Sequence, residues 1–303
     1  MLLLRLFIDN LLPAFLAAGS GSLVAWRLKI PVQPLARVAL YVFSPCLIFK
    51  LVMSQPPDPV AMLRMAGFAL TALPIMGLLG YLVARLLKLS RSMTAAMILV
   101  VLLPNSGNFG LAVNLFAFGE EGLAQAGLFF IVSALFSYSA GVLVAAMGKA
   151  GPREAALSLL KVPALWAALV AFIFLGLGWK LPNPIHRAVD MLADASIPLF
   201  LVILGMQLVG VNWKAQRNPL VAAVALRLVA SVGIAFLMVR VWDLDGAARQ
   251  AAVFQAAMPT AVITSVLTSE YEGEAEFVSS VILLTTILSP LTLTPLMALL
   301  GAR

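Results

Sequence analysis

Apolar runs separated by short polar or proline-bearing breaks recur along the whole chain. Each is long enough for the roughly 20 residues that an α-helix needs to cross about 30 Å of hydrocarbon. The pattern predicts ten spans: 6–26, 35–54, 60–84, 93–117, 122–147, 157–179, 188–210, 219–241, 248–269 and 275–300. Turn and charge signals mark the gaps: Arg27 to Pro34, Gln55 to Pro59, Lys88 to Ser92, Gly148 to Arg153, Pro182 to Arg187 and Asn212 to Pro219. Ten such helices would use about 220 positions and leave about 80 for loops and tails. The expected fold is therefore all-α and integral to the membrane, with no separate extramembrane domain.

Prolines inside the apolar runs suggest an internal repeat. Pro13-Ala14 matches Pro163-Ala164, Pro45 matches Pro198, and Pro104 matches Pro259. Each pair falls in the same ordinal span of its half. The halves are 1–150 and 151–303, and an odd number of spans in each turns the second upside down relative to the first. Inverted repeats of this kind characterise secondary transporters, whose substrate site lies near the bilayer midplane where helices are interrupted. The other reading is that the prolines are ordinary kinks in a helical bundle.

Composition agrees with the pattern. The chain has 303 residues, 62% hydrophobic and 11% charged, against roughly a quarter charged in a soluble domain. Its formal charge of +7 reads as cytoplasmic loops of a membrane protein, with no nucleic-acid partner expected. Arg27, Lys29, Arg37, Arg85, Lys88, Arg91, Lys149, Arg153, Lys161, Lys214 and Arg217 are assigned to the face after odd-numbered spans, eleven bases against the seven of the other face and both tails (Arg5, Arg64, Lys180, Arg187, Arg240, Arg249 and Arg303), which predicts both termini outside an inner (cytoplasmic) membrane. Asp9 and Asn10 interrupt the first apolar run, so it reads as a permanent span and not as a cleaved signal. Cys46 and His186 are the only residues of their kinds, which excludes an intrachain disulfide and multi-Cys or multi-His metal sites. There is no G-x-x-x-x-G-K-[ST] phosphate loop for ATP. No cofactor is expected.

Two runs cannot remain continuous helices. Span four contains Pro104-Asn105-Ser106-Gly107-Asn108-Phe109-Gly110, and span nine contains Gln255-Ala256-Ala257-Met258-Pro259-Thr260. Pro104 releases the Val100 carbonyl and Pro259 that of Gln255. Each break leaves one half-helix presenting N–H groups and the other presenting carbonyls, a place for an anion and a cation respectively. Asn105, Ser106, Asn108, Thr260 and Thr264 are neutral hydrogen-bonders that suit a carboxylate, or that merely satisfy broken backbone. Asn114 is open to the same two readings.

Pro104-Asn-Ser-Gly-Asn-Phe-Gly110, Ala257-Met-Pro-Thr-Ala261 and Ser44-Pro-Cys-Leu-Ile-Phe49 together resemble the auxin efflux carrier family, which includes plant auxin exporters and bacterial malate or malonate permeases. The resemblance covers essentially the whole chain, in the short bacterial form without a long loop after span five. It implies the fold shared with bile acid sodium symporters and sodium/proton antiporters. Spans 1, 2, 6 and 7 would form a scaffold, often paired into a homodimer, and spans 3–5 and 8–10 a transport domain with crossed, discontinuous helices four and nine. Pro104, Asn105, Ser106, Gly107, Asn108, Met258, Pro259 and Thr260 would bind substrate. Where many members place an asparagine after the second proline, this chain has Thr260-Ala261-Val262-Ile263.

Charges at membrane depth complete the candidates. Lys50 either snorkels to the interface or contacts the substrate anion, and Arg227 is expected in an internal ion pair. Asp190 and Asp194, read as opening span seven, either complement the helix N-terminus or, in the case of Asp194, carry a coupling proton. Asp9 is open to the same readings. Asn105, Ser106, Gln255 and the freed carbonyls are eligible oxygen donors for sodium, Gln255 and Thr264 join Asp194 as coupling-ion candidates, and Tyr138, among Ser133, Ser137 and Ser139, requires a hydroxyl partner. The resulting expectation is an elevator-type carrier, by preference an exporter, of small organic anions. A sodium- or proton-coupled symporter and a non-transporting membrane sensor are the alternatives. A membrane enzyme lacks a nucleophile-and-base arrangement.

Overall fold

The structure, a computed structural model, describes residues 1–54, 58–146, 157, 160, 162–210, 216–271 and 273–302. The predicted breaks at Gln55 to Pro57, Gly148 to Arg153 and Asn212, and the bases Lys149, Arg153, Lys161, Lys214 and Arg303, lie outside the described residues. Helices account for nearly everything else. In chain order they are α1 (Leu2–Leu28), α2 (Val32–Ser54), α3 (Pro59–Leu86) and α4 (Arg91–Leu102). Ser106–Ala145 follows as α5 (106–118) and α6 (120–145), divided at Gly119, whose φ of 69° breaks the helix. Then come α7 (Pro163–Leu177), α8 (Asn183–Gln207), α9 (Arg217–Val241), α10 (Gly246–Ala256), α11 (Ile263–Glu270) and α12 (Ala275–Leu300). Among the described residues, seven helical stretches, Ser106–Ala145 counted as one, are long and apolar enough to cross a membrane. Among the described residues there is no β-strand, only one isolated antiparallel bridge between Pro104 and Thr260.

Hydrophobic and polar positions are arranged as lipid requires. Leu16, Leu63, Leu86, Leu291 and Leu299 stand on the outside, whereas Asn10, Asn105, Asn114, Gln255, Thr260, Thr285 and Arg227 are buried. Polar side chains at membrane depth turn inward because hydrocarbon offers them no hydrogen bonds. Prolines follow the same logic. Pro13 and Pro45 come just after π-helical turns at Phe7–Leu11 and Ala39–Phe43, which absorb the hydrogen bond each ring removes. Pro198 sits inside α8.

α1 lies against α8, and α2 against both α7 and α8. α3 packs on α4, α10 on α6 and α9, and α12 on α9 and α11. The α1–α8 seam is backbone against backbone: a Cβ on Gly205 would lie 1.6 Å from the Ala18 carbonyl oxygen, and one on Gly21 2.0 Å from that of Val202. Ser22 Oγ donates to the Gly205 carbonyl at 2.7 Å, and Ser196 Oγ donates to that of Phe43 at 3.0 Å, tying α8 to both α1 and α2. Small residues permit this approach, as they do generally between membrane helices.

Several boundaries differ from the sequence reading. α8 begins at Asn183, not near 188, because Pro184 suits a first helical turn. Asp190 and Asp194 are consequently well inside α8 and do not serve its N-terminus. Asp190 instead meets His186 Nδ1 at 2.9 Å, one turn earlier. Asp9 likewise pairs with Arg5 at 3.3 Å, one turn before it.

Candidate functional site

Both interrupted runs break where proline requires it, and the two breaks touch. α4 stops at Leu102 and α5 resumes at Ser106; α10 stops at Ala256 and α11 resumes at Ile263. Asn105 N donates to the Pro259 carbonyl at 2.7 Å, and Ala261 N donates to that of Leu103 at 2.9 Å. This reciprocal pair of bonds is centred on Pro104 opposite Thr260.

The released carbonyls have partners. Thr260 Oγ1 donates to Val100 O at 2.8 Å, so the hydroxyl of one break closes the gap that Pro104 leaves in the other. Thr260 N in turn donates to Thr285 Oγ1 of α12 at 3.1 Å. Gln255 O accepts from Met258 N at 3.3 Å. The Gln255 amide, fully buried, donates through Nε2 to Ser106 O at 3.1 Å and to Ala126 O at 3.2 Å. A Cβ on Gly110 would lie 2.0 Å from Gln255 Oε1, and a Cβ on Gly107 2.7 Å from the Phe130 ring, so glycine at both positions allows close approach.

Some polar atoms at the junction have no such partner. Asn105 is 3% exposed, and its Nδ2 finds no hydrogen-bond partner among the described residues. Gln255 Oε1 and Asn114 Oδ1 are also unpartnered, while Asn114 Nδ2 donates to Gly110 O at 2.7 Å. Buried polar groups are normally satisfied, so unpaired ones concentrated at one place call for a ligand, water or ion. The α5 terminus, entered through Asn105, and the α11 terminus have no capping side chain and no acid in their first turns. Both therefore present positive dipole ends.

The other candidates sort themselves by position. Pro104, Asn105, Ser106, Met258, Pro259 and Thr260 are buried at the junction, with Gly107 and Asn108 on the first turn of α5 and partly exposed. Thr264 Oγ1 donates at 2.6 Å to Ala261 O, closing the first turn of α11. Lys50 and Asp194, read separately in the sequence, form one ion pair, Nζ to Oδ1 at 2.5 Å, between α2 and α8. Lys50 therefore has a protein counter-charge. With side chains 30% and 70% exposed, the pair is worth no more than about 1 kcal/mol. Asp194→Asn should leave the melting temperature within a few degrees of wild type, measured on the detergent-purified protein. Ser137 and Ser139 bond back to the carbonyls of Ser133 and Leu135, at 3.0 and 2.5 Å, as helical serines commonly do.

Arg227 corrects an expectation. It meets no carboxylate among the described residues. Its Nε donates to Met258 O at 2.9 Å, its Nη1 to Val101 O at 2.8 Å, and its Nη2 to Ala256 O. One guanidinium thus closes the C-terminal ends of both α4 and α10. The fork of donors makes this possible, and an unpaired arginine in an apolar span was its only sign in the sequence.

Residues 7–297 match the family described as membrane transport protein. An uncharacterized transporter of Methanocaldococcus jannaschii is 27% identical over 273 residues, 86% of each chain. A second uncharacterized transporter, from Methanothermobacter thermautotrophicus, is 31% identical over 221 residues, 72% of each chain. A Rhizobium meliloti protein described as "Putative malonate transporter" is 28% identical over 275 residues, 86% of this chain and 84% of its own. With a membrane-built helical fold, two contacting helix breaks and matches of this extent, the chain belongs to the membrane transport protein family, the auxin efflux carrier family that its motifs resemble.

Proposed function

We propose that this protein is a secondary carrier of small organic anions, binding them at the junction of the two broken helices and moving them outward by an elevator-like displacement. The observation that carries this reading is the pair of uncapped, acid-free half-helix N-termini beside the unpartnered Asn105 Nδ2. Neutral donors facing the ligand hold a carboxylate yet let it leave, as a carrier requires. The relative described by its name as handling malonate points to the same substrate class. An inside-negative potential favours exit of an anion by about 2.3 kcal/mol per charge per 100 mV, which is why export is the preferred direction.

The packing supports an inverted ten-span architecture. α4 with α5 makes span four, and α10 with α11 makes span nine. Under exchange of the halves, span one corresponds to span six and span two to span seven, so the contact of span one with span seven becomes that of span six with span two. Both contacts are extensive. The close-fitted α1, α2, α7 and α8 serve as the scaffold, and the remaining helices as the moving body. The exposed apolar face of α2 and α7, bearing Tyr41 and Trp166, is the surface through which two copies pair.

Charge movement by reconstituted protein on a solid-supported membrane tests this reading. Acetate, malonate and indole-3-acetate should elicit currents without an imposed ion gradient. Asn105→Ala should cut those currents roughly tenfold or more through loss of a buried, charge-assisted hydrogen bond. Unchanged currents in Asn105→Ala would remove the junction as the substrate site, and silence across the acids would remove transport of this class.

A further inference from the structure

Arg227 is the sole charged side chain buried among the described residues, at 1% exposure, and it has no acidic partner. An isolated buried cation is normally prohibitive. Here its partners are the carbonyls of Val101, Ala256 and Met258, at the C-terminal ends of two half-helices. Each such end carries about half a negative charge, and each N-terminal end about half a positive one. Two C-termini thus offer about one negative charge, which one guanidinium cancels. The N-termini of α5 and α11 remain, with no acid in their first turns and with Asn105 Nδ2 unpaired at the entrance to α5.

Resting on the carrier reading above, we infer that Arg227 is a fixed counter-charge which converts the junction from a neutral crossing of dipoles into a site of about one net positive charge, selective for a single carboxylate and closed to inorganic cations. Arg227 acts by positioning charge and helix ends and does not touch the substrate. The group bound at the junction is one carboxylate; any second acidic group of a substrate lies away from it. Sodium, which would otherwise take the C-terminal carbonyls, finds them occupied. Gln255 Oε1 and Asn114 Oδ1 are unpartnered acceptors, and sodium held by them instead would stabilise the wild-type protein.

Two readouts separate this inference from the carrier reading. In transport, phenylacetate should be carried and phenylacetamide, its uncharged counterpart, should not. Arg227→Gln should raise the KM for phenylacetate roughly tenfold or more, whereas Arg227→Lys, which keeps the charge, should recover most of the affinity. An unchanged KM in Arg227→Gln, with wild type transporting normally, overturns the role of Arg227 and leaves the carrier reading intact. The second readout needs no substrate. Melting of purified protein in sodium chloride and in N-methyl-D-glucamine chloride should coincide for wild type. For Arg227→Gln, sodium should raise the melting temperature, because the carbonyl ends are then open to it. Sodium-dependent stabilisation of wild type overturns the inference, and it does so even if Arg227→Gln does not fold.

Discussion

Gly205→Ala is expected to prevent stable assembly of α1 against α8, with a melting temperature lower than wild type by about 10 °C or more. The added Cβ would stand 1.6 Å from the Ala18 carbonyl oxygen and 2.5 Å from its carbon. Both are backbone atoms of the facing helix, so no side-chain rotation relieves the clash and the helices must separate. Separation also removes the Ser22 Oγ bond to Gly205 O. Overpacking of this type costs about 3 kcal/mol or more, because a close-packed interior cannot absorb a methyl without moving its neighbours. Gly19→Ala, on the facing helix α1 with nothing within 4 Å of the new Cβ, is the control, and should be neutral or slightly stabilising through helix propensity. Thermal unfolding of the two purified variants checks the pair. Equal melting temperatures would mean that the two helices are not in backbone contact.

Gly110→Ala should impair function more than stability. Its Cβ would fall 2.0 Å from Gln255 Oε1 and 3.1 Å from Asn105 O. The amide side chain must turn away, losing its bonds to Ser106 O and Ala126 O. Those bonds link α10 to the first turn of α5 and to α6, and hence hold one break in register with the other. A buried hydrogen bond is worth about 1 kcal/mol, and a donor stranded by its loss costs about 1–3 kcal/mol. The protein should therefore still fold while organic-acid currents fall by roughly tenfold or more, as small displacements of a positioned site do. Gly107→Ala meets only the Phe130 ring, a side chain that can shift, and should keep more of the transport. Wild-type currents in Gly110→Ala would show that the Gln255 link is not needed for transport.

Much of this protein was legible from local pattern. Apolar run length announced membrane helices, because hydrocarbon imposes a length and forbids unpaired backbone. The breaks at Pro104 and Pro259 were equally readable, since a proline ring removes the same hydrogen bond in any context and Asn-Ser-Gly-Asn offers no continuous helix. The span-four motif pointed to the right family for the same reason: it records a backbone interruption that the fold depends on.

Contacts between distant segments were another matter. That Thr260 stands opposite Pro104 follows from backbone pairing, to which proline spacing is indifferent. Lys50 and Asp194 each stand out as charges in apolar sequence, but only the packing of α2 on α8 joins residues 144 apart. Arg227 was visible as a charge in an apolar span, and the usual expectation for such a charge is an acid. Tertiary structure supplied three carbonyls in its place, because helix C-termini gather partial negative charge that no single residue type advertises. The sequence by itself determined which runs are apolar enough to form membrane helices and where two of them break; only the folded arrangement decided which broken ends meet, which carbonyls are neutralised and which donors stay unpaired.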